Sequence, residues 1–211
     1  MADPAHQVFV LSPASAAGKR ARLLLEGRGD SELAPRLGSS AGAPLGAVFT
    51  FMSGLYFRGK LAYASAFARP PAGTAGVLVI VPGGGLLGPE TPIRAADLRA
   101  MAEVPVDPDD PRYVEPLAAD AARLSAALGE DDRVVLLGSV ATDKYVVPLL
   151  PVLGGRLQIP EEFVGRGDMS RGGLLLRCVD EKRELTYVSV ADAPRRGPRP
   201  AKLEPRRRRG R

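Results

Sequence analysis

Two short runs, Gly76–Val81 (GVLVIV) and Arg133–Leu137 (RVVLL), constrain this chain more than any other feature. Each is continuous and β-branched, the pattern of a strand buried on both faces rather than one that alternates between core and water. Such strands need helices above and below. Val114–Leu128 carries Leu117, Ala121, Leu124 and Leu128 at helical spacing and closes on Gly129, so it predicts a helix leading directly into the second run. Gly138-Ser139 then opens into a short helix over Ala141–Leu150, distorted by Pro148. Helix, strand, loop, helix is the order of a parallel α/β sheet.

The other segments fit this frame. His6–Leu11 reads as a strand, Ser15–Leu25 as a helix, and Gly27–Gly46 as a loop with a turn of helix around Leu33. Leu55–Ala68 is a helix stopped before Pro70-Pro71. Thr91-Pro92 has the cap and first-turn residues of another, with Ile93, Leu98 and Met101 as its apolar side. Leu174–Val179 and Leu185–Val190 read as two late strands, an antiparallel hairpin turned at Asp180–Arg183. The fold class expected is a single α/β domain over residues 1–192, with a mixed, mostly parallel sheet flanked by helices and a late antiparallel hairpin. Residues 193–211 are rich in Pro and Arg, hold too few apolar groups to offset the entropy of ordering, and are expected to form a disordered tail.

The net charge of +5 divides unevenly. Residues 193–211 hold nine basic side chains and one acidic, a net +8, so the remaining residues sum to −3. A slightly acidic body is not a basic nucleic-acid domain, and long-range attraction to phosphate would come from the tail. One cysteine, Cys178, excludes an internal disulfide and a thiolate cluster, and one histidine, His6, excludes a Ser-His-Asp triad or a histidine metal site. No metal and no cofactor are expected. The first residues show no secretory signal and no run reaches the length of a membrane span, so a cytoplasmic protein with no membrane partner is expected.

Ligands in open α/β sheets collect beyond the carboxyl ends of the strands, which singles out Ser12-Pro13, Pro82–Gly88 with Gly84 among its glycines, and Gly138–Tyr145. A fourth segment, Phe163–Arg177 (FVGRGDMSRGGLLLR), joins Gly165 and Gly167 to Arg166, Arg171, Asp168 and Ser170. Glycines let backbone N–H groups approach a phosphate and guanidinium forks match its oxygens, so this loop can bind an anion. A solvated loop with Asp168 paired to an arginine is an equal alternative. Lys144 and Tyr145 stand at a helix start, where the dipole favours anions. Tyr56, Arg58 and Lys60 sit on the first turns of the Leu55–Ala68 helix, read mainly as a solvated face. Asp109-Asp110 and Asp131-Asp132 read as solvated caps.

In order along the chain, several motifs resemble those of the YaaA peroxide-stress family and of related small phage and bacterial domains of unknown function. They are VFVLSPAS (Val8–Ser15), AVFTFMSGLYFRGKLAYA (Ala47–Ala64), VLVIVPGGGLLGPETPI (Val77–Ile93), VVLLGSVATDKYVVPLLP (Val134–Pro151) and GRGDMSRGGLLLR (Gly165–Arg177). Met52, Ser53 and Gly54 depart from that family's asparagine-glycine-acid run, and isolated arginines replace its lysine-rich late motif. The resemblance implies a nucleic-acid or nucleotide partner, in DNA damage or stress response, more than a reaction.

Three functions follow as expectations. In the first, Arg166, Arg171, Gly165, Gly167, Ser170, Gly84, Ser12 and Lys60 hold the phosphate of a nucleic acid, and the tail adds nonspecific attraction. In the second, the chain is an enzyme acting on a nucleotide or nucleobase, with Asp168, Lys144 and Tyr145 as catalytic groups. In the third, it is a protein-interaction module whose tail docks on an acidic partner. All three presuppose that distant turns meet in space.

Overall fold

The structure, a computed structural model, describes residues 6–28, 32–194, 196–198, 200–201 and 203. From the amino end run β1 (Gln7–Leu11), α1 (Lys19–Leu25), α2 (Leu33–Gly38), β2 (Ala43–Pro44), α3 (Leu45–Ser53), α4 (Leu55–Phe67), β3 (Val77–Val81), β4 (Gly85–Leu87) and β5 (Pro92–Ile93). They are followed by α5 (Ala95–Ala102), α6 (Pro111–Ala126), β6 (Arg133–Leu137), α7 (Val146–Leu153), β7 (Leu157–Pro160), α8 (Asp168–Glu181) and β8 (Tyr187–Ser189).

Six strands form one sheet in the order β4-β3-β1-β6-β7-β8. The four inner strands are parallel, with Val10 of β1 opposite Leu78 on one side and Leu136 on the other. Both edge strands are antiparallel to their neighbours. Successive side chains of a strand point to opposite faces. Phe9 and Leu11 therefore join Val79, Val81, Val135 and Leu137 in a core with helices α1 to α5 and α8, whereas Val8 and Val10 join Ile80, Val134 and Leu136 under α6 and α7. This is the mixed, mostly parallel α/β sheet that the two β-branched runs predict. No helix among the described residues is long and apolar enough to cross a membrane.

Several local expectations change. Leu174–Val179 is not a strand but part of α8. Its apolar run allows either state, but Arg171, Leu174, Leu175 and Cys178 recur at helical spacing and are all buried. Lys182, in the left-handed region at φ 52°, ends the helix where a hairpin turn was expected. The late antiparallel pair is β7 with β8, Ile159 lying opposite Val188. Pro92 and Ile93 form a short ribbon with Ala43-Pro44 instead of opening a helix. Helix α5 starts after Arg94, whose N–H donates to Asp97 at 2.7 Å. Helix α7 starts five residues later than expected, which places Pro148 in its first turn, where a missing N–H leaves no bond unmade. Pro82–Gly88 is no open loop but the turn into β4. The paired acids are caps: Asp110 accepts from the Arg112 N–H at 2.9 Å, and Asp132 from those of Gly129 and His6 at 2.8 and 2.9 Å.

Much of the arginine-rich tail lies outside the described residues. Of those within, Leu203 packs on the core, and Gly197-Pro198 lies against Val164-Gly165 so closely that a side chain at Gly165 would strike the Pro198 carbonyl.

A polar network fastens α4 to the last strand. The Leu185 N–H donates to the Tyr63 hydroxyl at 2.7 Å, which lies 2.7 Å from the Tyr187 hydroxyl. Tyr187 donates to Glu184, which also receives Gln7 Nε2 and Arg69. Tyr63→Phe is expected to lower the unfolding free energy by about 1–3 kcal/mol, because the buried Leu185 N–H loses its partner. An unchanged denaturant midpoint would count against that accounting.

Candidate functional site

From β1 the chain crosses to β3 on one side, and only later builds β6 and β7 on the other. The carboxyl ends of β1 and β6 thus flank the point where strand order reverses, where open α/β sheets bind ligands. Ser12 is the first residue beyond β1 and is tied to the end of β6, its hydroxyl donating to the Leu137 carbonyl at 3.2 Å.

Lys60 reaches this point from α4. Its Nζ lies 2.5 Å from the Ser12 carbonyl oxygen and 2.8 Å from Ser12 Oγ, and stands over the Tyr56 and Phe57 rings at 4.5 and 4.9 Å from their centroids. The lysine is 1% exposed and, among the described residues, makes no ion pair. Burial brings its pKa down from 10.5 to about 7, the Asp168 carboxylate pulling the other way and the Arg171 guanidinium reinforcing the drop. Tyr56 and Lys60 are therefore not on a solvated face. Arg58 alone of that trio is exposed. Tyr145, at the start of α7, meets Ser12 from the other side. Burial pushes its hydroxyl up to about 12, while the bond to Ser12 lowers it.

The fourth wall is α8. It crosses α4 at Gly59 and Gly172 with backbones touching: a Cβ on Gly59 would lie 2.7 Å from the Gly172 carbonyl oxygen, and one on Gly172 would lie 2.8 Å from Leu55 O and Tyr56 Cα. The residues next to this contact, Lys60 and Arg171, are thereby brought to the same place. Arg171 is buried, donates through Nε and Nη2 to the Phe163 carbonyl at 3.3 and 3.0 Å, and meets the exposed Asp168 carboxylate at 3.4 Å. Its charge and a hydrogen bond from its guanidinium both act to lower the pKa of the Tyr56 hydroxyl. Desolvation nevertheless dominates and holds the Tyr56 hydroxyl protonated, well above its ordinary range.

Gly167 is the N-cap of α8 and offers no side-chain cap, so first-turn N–H groups point outward. Beside them opens a recess of about 390 Å³ walled by Ser139 from beyond β6, by Gly165, Arg166, Asp168 and Arg171, and by Arg196 of the carboxyl-terminal segment. Arg166 donates to Ser170 Oγ at 3.2 Å, and its buried Nε has no partner among the described residues.

Ser12, Lys60, Tyr145, Asp168 and Arg171 thus converge, with Arg166, Gly165, Gly167 and Ser170 around them. Two expected members stand apart. Gly84 lies in the β3–β4 turn, against a different hollow lined by Asp97 and Met101. Lys144 is exposed at the rim of a larger hollow of about 720 Å³ beyond Pro13, its carbonyl accepting from the Tyr113 hydroxyl at 2.9 Å. Sequence reasoning undervalued Tyr56, reached Ser139 only as part of the Gly138–Tyr145 segment, and read Arg196 only as part of the tail. The spacing of Tyr56, Gly59, Lys60 and Tyr63 puts all four on one face of α4, the signal that could have shown burial. No protein-family model, curated protein or solved structure matches this chain.

Proposed function

We propose that this chain binds a phosphate-bearing nucleic acid or nucleotide in the recess at the start of α8. The observation that carries the reading is an uncapped helix N-terminus beside a recess lined by Arg166 and Arg171, where the Arg166 Nε is buried without a partner among the described residues. Aligned N–H groups and guanidinium forks are the donors that phosphate oxygens accept. The resemblance to the YaaA family points to the same class of partner.

Arg166→Ala is expected to weaken binding of single- or double-stranded DNA or of a nucleotide at least tenfold, about 1.4 kcal/mol. Removing residues 199–211 should reduce the slope of log affinity against log salt, since tail arginines would release counterions. Failure of the full chain to retain any nucleic acid or nucleotide at low salt ends this reading.

A second reading, an enzyme acting on a nucleotide, is favoured by one arrangement: Lys60, with a pKa near 7, bonded to Ser12 beside Tyr145. An amine poised at neutral pH is suited to proton transfer. On this reading Lys60→Met abolishes turnover of a nucleotide while the fold remains intact.

A further inference from the structure

We infer that the recess recognises a terminal phosphomonoester, and that Arg196 of the carboxyl-terminal segment is one of the side chains that hold it. This rests on the phosphate-binding reading above and narrows it to one ligand chemistry. Three arginines, Arg166, Arg171 and Arg196, line the recess together with the one carboxylate of Asp168. Among the described residues that line it, positive charges exceed negative by two. An internal phosphodiester carries one negative charge, whereas a monoester at neutral pH carries between about 1.5 and 2 and has three acceptor oxygens. Charge and donor geometry therefore match the monoester.

The recess is a hollow of about 390 Å³, with Ser139 and Gly197 among its lining residues. Arg166, another of them, is not fully bonded by the protein: its Nε is buried without a partner among the described residues.

Arg196 reaches the recess because the segment that follows β8 returns across the start of α8. Gly197 fits against Val164, where a Cβ would come within 2.8 Å of a Val164 methyl, and the Pro198 carbonyl takes the space a side chain on Gly165 would need. The segment thus forms part of the binding site, distinct from any nonspecific attraction exerted by the arginines beyond it. The monoester belongs either to a free nucleotide or to the end of a strand, which are chemically alike at this position.

The test uses the full chain at one ionic strength and four probes: a nucleoside monophosphate, its unphosphorylated nucleoside, and one short single strand with a phosphorylated or a hydroxyl end. The phosphorylated strand is expected to bind at least tenfold tighter than the hydroxyl-ended one. Arg196→Ala, a change at an exposed position, should abolish that preference, whereas replacing Arg206, Arg207, Arg208 and Arg209 together by alanine should weaken both strands equally and keep it. Monophosphate binding as tight as the phosphorylated strand identifies a free nucleotide, and tighter strand binding identifies a strand end; either supports the inference. Equal binding of the two strands overturns it while leaving phosphate binding intact, as does a preference that survives Arg196→Ala. Absence of binding to every phosphorylated probe overturns both.

Discussion

Lys60→Met is expected to raise the unfolding free energy at pH 7 and to flatten its dependence on pH. Burial holds the folded pKa of Lys60 at about 7, against an ordinary 10.5. Between those values the unfolded chain carries a proton on this lysine that the folded chain does not. Unfolding then takes up a proton, and stability rises with pH by up to about 1.4 kcal/mol per unit. Below about pH 7 both states are protonated and the penalty stands at its maximum, with a ceiling of about 5 kcal/mol from the size of the shift. Methionine matches the lysine's length without the charge. Its gain is offset by about 1–3 kcal/mol for the Ser12 carbonyl left without the amine. The expected net effect is a stabilisation of about 1–3 kcal/mol at pH 7, fading as the pH rises to 9. The buried hydroxyls of Tyr63, Tyr113 and Tyr187, all held above their ordinary range, add a stability lost only above about pH 10, outside that window. Denaturant melts of both proteins at pH 6, 7, 8 and 9 decide the matter. A methionine variant several kcal/mol less stable than the parent would mean that the amine's bonds outweigh its desolvation. A more stable variant that no longer binds phosphate or turns over a nucleotide would show a lysine retained for what it does rather than for the fold.

Gly172→Ala should be destabilising by about 1–2 kcal/mol, and Gly173→Ala, one residue further along the same helix, stabilising by up to about 1 kcal/mol. Alanine is the better helix former at both positions, so propensity alone favours both changes. Space separates them. The new methyl at Gly172 would sit 2.8 Å from two backbone atoms of α4, which cannot move aside without shifting the helix. At Gly173 its nearest neighbour is a Leu203 methyl at 3.7 Å, an ordinary contact. In a chain of this length the two melting temperatures should diverge by several degrees in opposite directions from the parent, at about 2–4 °C per kcal/mol. The expectation fails if both substitutions shift melting the same way. Because the contact brings Lys60 and Arg171 together, Gly172→Ala should also weaken phosphate binding while Gly173→Ala leaves it unchanged.

The strands show how far local pattern carries. Gly76–Val81 and Arg133–Leu137 are buried on both faces for reasons contained in their own side chains, and the helix before Arg133 announces itself by its spacing. Leu174–Val179 does not, because a short run of leucines satisfies a strand and a buried helix equally. What settled it was that α8 packs on α4 through Gly59 and Gly172, while Gly172 and Gly173, just before the leucines, lower the intrinsic preference for a helix and so hide it. The strand β7 escaped notice for a similar reason, being only four residues long and ending in proline. At the site, Ser12, Arg166, Asp168 and Arg171 were legible from their place after strands or in a Gly/Arg-rich segment. Lys60 was named as a phosphate ligand, yet its burial against Ser12 was not expected, since charged residues on a helix usually face water.

By itself the sequence determined the class of sheet, the position of its central strands and the chemical types of residue at its carboxyl edge, because each depends on side chains within a few residues of one another. Only the tertiary structure decided which of those residues meet. Strand order, the contact of Gly59 with Gly172, the return of Gly197 across Gly165 and the seclusion of the Lys60 amine involve groups far apart in the chain. Their placement follows from how helices and sheet fill space together, which no single segment encodes.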